Sequence, residues 1–194
     1  MLWRSIMKNK SLKATQKLVV LTSQNLRVHP DAKSAFMVWQ QHRLPLLRPQ
    51  LASLDDYYRQ PLRLCAVEDS YQFFNTFARI DEVMKLETRY RQPCLIAPES
   101  SHDIKRLAWC EVLSLSRFNG VDHPMLFKAI YQNSPKQLIC ELMGVNRLTV
   151  ASYCQFAGIN QSAYEYQQCK VANDEAMLGL PKNLNWMDTS YGSH

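Results

Sequence analysis

The chain has 194 residues, 46% of them hydrophobic, which allows one domain or two small ones with a real core and excludes a disordered chain. Its formal charge of +6 is unevenly spread: residues 1–30 carry Arg4, Lys8, Lys10, Lys13, Lys17 and Arg27 with no acid, while 161–194 lean acidic through Glu165, Asp174, Glu175 and Asp188. A basic arm suits a polyanion partner or serves as a solubilising leader, and charge alone leaves both open; no apolar run approaches the ~20 residues that a membrane-crossing helix needs.

In chain order, residues 1–30 read as a basic N-terminal arm that contains a short strand candidate, KLVVLT (17–22). The start, MLWRSIMKNKSLKATQ, lacks a secretory core and cleavage site, although its composition is compatible with a mitochondrial presequence. AKSAFMVWQQHR (32–43) has helical spacing, and LPLLRPQLASLDDYYRQP (44–61) is a proline-punctuated connection around a short helix. PLRLCAVED (61–69) and SYQFFNTF (70–77) are β-rich, with Glu68-Asp69 marking a hairpin turn. ARIDEVMKLETRY (78–90) returns to helical spacing through Ile80, Val83, Met84 and Leu86. QPCLIAP (92–98) is a strand closed by Pro98, and SHDIKRLAWCEVLSLSRF (101–118) is an amphipathic helix opened by a Ser/Asp cap. Beyond 118–122 the texture becomes all helical: HPMLFKAIYQ (123–132), then 134–158, then NQSAYEYQQCKVANDEAMLGL (160–180) before a tail (181–194). The expected domains are therefore an α/β unit at 31–120 and a helical unit at 121–180, an α+β chain overall.

Little here looks catalytic. The five glycines are unclustered, so no phosphate-cradling loop is announced. Cys65, Cys94, Cys110, Cys140, Cys154 and Cys169 stand singly and read as small buried hydrophobes in a reducing cytoplasm. His29, His42, His102, His123 and His194 are dispersed and read as loop or surface residues rather than general bases. Asp55-Asp56 and Glu68-Asp69 fit turns and caps, and no metal or cofactor is expected.

The stretch SPKQLICELMGVNRLTVASYCQFAG is different. Ser134-Pro135 gives a cap and a first helical position. Ile139 and Met143 face inward and Cys140 supplies a small contact. Gly144 tolerates a left-handed turn, Val145 tucks into the core, and Val150 and Tyr153 give the second helix its buried side. Asn146, Arg147, Thr149, Ser152 and Gln155 make up a polar side able to bond bases or phosphates. Taken together this is the pattern of a helix-turn-helix whose second helix enters the DNA major groove, with Lys136 and Gln137 on phosphates. An αα-hairpin in a helical core would carry the same apolar spacing, but its second helix would be apolar all round.

The segment PLRLCAVEDSYQFFNTFARIDEVMKLETRYRQPCLIAPESSHDIKRLAWCEVLSLSRFNG, followed by the helix-turn-helix, resembles the ParB N-terminal domain in the order and spacing of its elements, over roughly 44–160. The resemblance implies a ParB-like fold, double-stranded DNA as partner, and a ParA-type ATPase or other protein as a further partner. The family's terminal dimerisation region is not implied, since 160–194 shows no heptad pattern; a homodimer is expected instead because one helix-turn-helix reads about half a site. The resemblance also has departures. Where ParB proteins have Gly-x-Arg-Arg, this chain has FNTFARIDE with one arginine, Arg79. Where they have Glu-Asn-x-x-Arg, Glu111 is followed by Val112, and Arg117 comes two residues late. The family's nucleotide hydrolysis is therefore not implied.

The expected function is a cytoplasmic, nucleoid- or plasmid-associated DNA-binding protein, either a transcriptional regulator or a partition-type centromere binder. The alternatives are a nucleotide-binding enzyme of the ParB/sulfiredoxin superfamily using a pocket between 62 and 117, and an interaction module whose helix pair packs on a partner helix.

Overall fold

The computed structural model describes residues 14–44, 60–85 and 91–178, with α7 known by its backbone alone from residue 171. Among the described residues there are five strands: β1 (Thr15–Val20), β2 (Leu26–Val28), β3 (Leu62–Val67), β4 (Ser70–Phe73) and β5 (Arg91–Ile96). The helices are α1 (Lys33–His42), α2 (Phe77–Lys85), α3 (Ser101–Leu115), α4 (His123–Asn133), α5 (Lys136–Met143), α6 (Val150–Ala157) and α7 (Gln161–Leu178). The sheet order is β1-β5-β3-β4-β2. β1/β5 and β3/β4 are antiparallel, whereas β3/β5 and β2/β4 are parallel. The chain is thus a mixed α/β protein.

Several expectations shift. Within the stretch 1–30, β1 and β2 belong to the sheet, so an arm is confined to residues before β1, and 1–13 lie outside the described residues. Strand β2 was not expected at all. The β-rich stretch 70–77 stops at Phe73, and Phe77 opens α2. The short helix expected within 44–61, Leu86 and the tail 181–194 fall outside the described residues. The Ser/Asp cap of α3 forms as expected: the Ser100 hydroxyl accepts from the Asp103 N–H at 3.1 Å and donates to its carboxylate at 2.7 Å.

Pairing register explains where the core sits. Opposed residues share a face, so Leu62 lies beside Cys94, Leu64 beside Phe73, and Val28 beside Phe73. Leu26, Leu62, Leu64, Phe73 and Cys94 on that face are all buried. On the other face Leu18, Val20 and Val67 are exposed, so one side of the sheet carries the core. Phe36 joins α1 to the buried face through edge contacts with Phe73 and Phe77, each at 5.1 Å between ring centroids, and Trp39 meets Phe77 at 5.8 Å. Asp81 of α2 pairs with Arg43 at the end of α1 and with Lys85 one turn on. The apolar cluster continues through α3 (Ala108, Trp109, Val112) into Val121, Leu126 and Ile130 and on to Tyr153 and Tyr164. Helix α1 packs on both α3 and α4.

The link from β4 to α2 is strained and braced. Thr76 has φ of +52°, a left-handed conformation costly for a β-branched residue. Its N–H donates to the Glu111 carboxylate of α3 at 3.0 Å, so a distant side chain caps α2. Burial raises the Glu111 carboxyl, while bonds from the Thr76 and Phe77 amides act the other way. Arg79, one turn into α2, is buried and donates to the Gln60 carbonyl and, at 3.1 Å, to the Gln92 side chain. It ties the chain entering β3 to the start of β5. Replacing Thr76 by glycine relieves the strain, and we expect Thr76→Gly to raise unfolding free energy by roughly 0.5–1 kcal/mol in urea titrations.

Candidate nucleic-acid interface

Helix α5 ends at Gly144, whose φ is +68°. The Gly144 N–H donates to the Glu141 carbonyl at 3.2 Å and the Val145 N–H to the Cys140 carbonyl at 2.9 Å, a Schellman closure of the helix. Its chain neighbours aside, no atom among the described residues lies within 4 Å of where a Cβ on Gly144 would stand, so the demand for glycine is conformational rather than steric. Six residues, 144–149, then connect to α6. The fully inward residue of this connection is Leu148, which is buried; Val145 packs against the core as expected but stays half-buried. A period-based search passes over Leu148 because it lies between the helices rather than on one.

Helix α6 starts with a capping box. The Thr149 hydroxyl accepts from the Ser152 N–H at 3.1 Å, and the Ser152 hydroxyl accepts from the Thr149 N–H at 2.9 Å. Ser152 also donates to the carbonyls of Arg147 and Thr149, at 3.0 and 2.9 Å. These two hydroxyls, expected to face bases, are thus engaged in shaping the turn. The Asn146, Arg147 and Gln155 side chains are exposed and make no hydrogen bond or ion pair among the described residues. Lys136 and Gln137 are exposed at the start of α5, and the Lys136 ammonium sits 4.3 Å from the Tyr131 ring centroid.

The expected start of α5 needs correction. Pro135 is the N-cap and gives no side-chain cap bond. Ser134 instead closes α4: its N–H donates to the Ile130 carbonyl at 3.0 Å, its backbone is extended as proline's predecessor tends to be, and its hydroxyl is buried with no hydrogen-bond partner among the described residues. Ile139 and Met143 are buried as expected; Cys140 and Val150 are half-buried.

Tyr153 anchors the second helix. It is fully buried, 5.2 Å from the Phe127 ring and 6.4 Å from Tyr164, and its hydroxyl is 3.1 Å from His123 Nδ1. His123, expected at the surface, is therefore buried, and its backbone N–H donates to Gln167 of α7 at 3.1 Å. Burial lowers the pKa of His123 and also of His42, with Asp122 opposing the shift at both. Arg117, which the sequence marks only as a displaced motif arginine, lays its guanidinium 5.1 Å over the Phe156 ring, placing a cation near the end of α6. The cysteines are all free; Cys65, Cys94 and Cys154 are buried, but Cys110 and Cys169 are exposed, contrary to expectation. Among the described residues no group of three or more His, Cys, Asp or Glu could hold a metal ion, and no helix is long and apolar enough to cross a membrane.

No known protein-family model matches the chain, and no curated protein is significantly similar to it.

Two measurements check this geometry. Gly144→Ala is expected to cost about 1 kcal/mol of stability, since a Cβ meets open space and only the left-handed backbone resists it. For the histidines, the folded chain favours the neutral rings while the unfolded chain takes up protons near pH 6.5. Stability is therefore complete above about pH 7.5, where the rings are neutral in both states, and falls on acidification through about pH 6.5 toward the lowered folded values. A His42→Gln, His123→Gln double variant is expected to show a flatter melting-temperature profile over that range.

Proposed function

We propose that this chain binds double-stranded DNA sequence-specifically, as a transcriptional regulator or a partition-type centromere binder, reading the major groove with α6 and the turn before it. One observation carries the proposal. Arg147, Asn146 and Gln155 stand exposed, with side chains unengaged among the described residues, beside a turn held rigid by the Gly144 closure and the Thr149–Ser152 box. An αα-hairpin with one solvated face also exposes polar side chains, but a guanidinium and two carboxamides held beside a rigid outward turn are the groups and the placement that base reading requires. Arg147 suits a guanine edge, and Asn146 and Gln155 suit adenine. Thr149 and Ser152 act by fixing the turn, and Lys136 and Gln137 lie where a phosphate backbone would pass.

The order β3–β4–α2–β5–α3 ahead of the helix pair is the one the resemblance to ParB proteins calls for, and the stretch that stands in place of their glycine motif contains the left-handed Thr76. Both support a ParB-like reading of the upstream half. The nucleotide-hydrolysing alternative has less to stand on. The amides that open α2 are already bonded by Glu111, and Arg79 is buried on backbone and side-chain carbonyls. A single helix pair reads about half a site, so binding as a homodimer is part of the proposal, as is a nucleoid or plasmid location with a ParA-type ATPase or other protein partner.

Selection from a random DNA pool, followed by gel-shift titration, tests it. The parent is expected to enrich a two-fold-related motif. Arg147→Ala is expected to lose about 1–3 kcal/mol on that motif with an unchanged melting curve. Equal affinity of variant and parent, or enrichment of no motif, overturns the proposal.

A further inference from the structure

Away from the helix pair, β1 forms an edge of the sheet: it pairs with β5 on one side and with no strand on the other among the described residues. The bonding of β5 fixes which way the groups of β1 turn. Leu64 lies opposite Ile96, and its carbonyl accepts from the Ala97 N–H at 3.2 Å. Ala97 and its alternates Leu95 and Pro93 therefore turn their backbone groups toward β3, which leaves Gln92, Cys94 and Ile96 to bond β1. Their partners are Val19, Lys17 and Thr15, so Gln16, Leu18 and Val20 direct N–H and C=O away from the sheet. The Asn25 side chain donates to the Val20 carbonyl at 2.9 Å and closes that end. The backbone groups of Gln16 and Leu18 and the Val20 N–H engage nothing among the described residues.

The side chains along this edge define what fits it. Leu18 is 65% exposed and Val20 36%, on the face away from the core, while Lys17 is exposed on the other face. Arg91 lies opposite Val20. Strands β1 and β5 contain no acid, and neither Lys17 nor Arg91 has an ion pair among the described residues. An edge without bulge or proline that shows apolar side chains is a template for another strand. Charge selects which strand. A second copy brings another Lys17, and the chain's own residues 1–13 bring Arg4, Lys8, Lys10 and Lys13 with no acid, so both add like charge. We infer that the β1 edge is a docking site for an extended acidic segment of a partner protein. Side chains alternate between the faces of a strand. The segment thus sets apolar residues beside Leu18 and Val20 and a carboxylate beside Lys17. The edge shares no residue with the α5–α6 corner, so the inference stands apart from DNA binding.

Calorimetric titration of the full chain with a short capped peptide that alternates valine and glutamate, together with amide shift mapping, tests it. One control peptide carries lysine for glutamate, and another carries proline at its central valine. Saturable binding of the acidic peptide is expected, with shifts centred on 16–20 and 91–95. Both controls are expected to bind at least about tenfold more weakly, as is the acidic peptide to the exposed-site variants Leu18→Glu and Lys17→Glu, with melting curves verifying the fold. Lys17→Glu is expected to prefer the lysine peptide instead. Absence of saturable binding at millimolar acidic peptide overturns the inference. So do shifts centred elsewhere, equal binding of either control, or undiminished binding by folded Lys17→Glu. In sedimentation equilibrium Leu18→Glu is expected to leave the oligomeric state unchanged; a dimer that it abolishes gives the edge to a second copy and overturns the inference.

Discussion

Strand register places Leu26, Leu62, Leu64, Phe73 and Cys94 on the same face of the sheet, and that face has to be covered. At ~25 cal/mol per Å² of apolar surface withdrawn from water, five such side chains supply a driving force that no local helix preference matches. Helices α1 and α2 meet the face through the Phe36, Trp39, Phe73 and Phe77 rings. Once α1 is set, its packing on α3 and α4 carries the sheet's position into the helical half. The outward corner at Arg147 is thus held by a chain of buried contacts that begins at β3 and ends at Tyr153.

The same frame explains where polar groups were withdrawn from surface chemistry. Arg79 and Glu111 each sit in or near the core, and a buried charge is tolerable only when hydrogen bonds replace its water. Arg79 meets that condition on Gln60 and Gln92, and Glu111 meets it on the amides that open α2. Glu111 also holds Thr76 in its left-handed conformation, so the strained loop, the cap and the buried carboxyl form one arrangement. These residues are structural ties between β3, β5, α2 and α3.

Much of this was legible in the sequence where the governing interaction is local. The caps at Ser100 and the left-handed stop at Gly144 depend on residues within four positions, and both are as the residue types demand. The hairpin turn at Glu68-Asp69 is local too, closed by the Ser70 hydroxyl on the Val67 carbonyl at 2.9 Å. What escaped was non-local. Strand β2 is three residues long and exists because β4 lies alongside in parallel. His123 is buried because Tyr153, thirty positions on, accepts its company. Ser134 was misassigned because a serine before proline satisfies two rules, and the extended backbone that proline imposes prevailed over the capping preference. At the corner itself, exposure of Arg147 and Gln155 followed from the polar pattern, while the engagement of Thr149 and Ser152 with each other did not.

The proposed interface has a particular electrostatic character. Residues 121–160 hold Lys128, Lys136 and Arg147 against Asp122 and Glu141, a net charge of +1. Non-specific affinity for a duplex comes from neutralising phosphates, and one net charge releases few counterions. The density of cations lies instead at the N-terminus, where Arg4, Lys8, Lys10 and Lys13 precede β1 without an acid among them. On the proposed reading the two tasks are therefore separated along the chain: the rigid corner discriminates between bases, and the basic segment supplies most of the salt-sensitive attraction. Rigidity at the corner favours this division, because side chains fixed by a Schellman closure and a capping box lose less freedom on docking. The basic segment attracts any duplex alike, so on this reading the preference for one sequence over another rests on the base contacts of the corner alone.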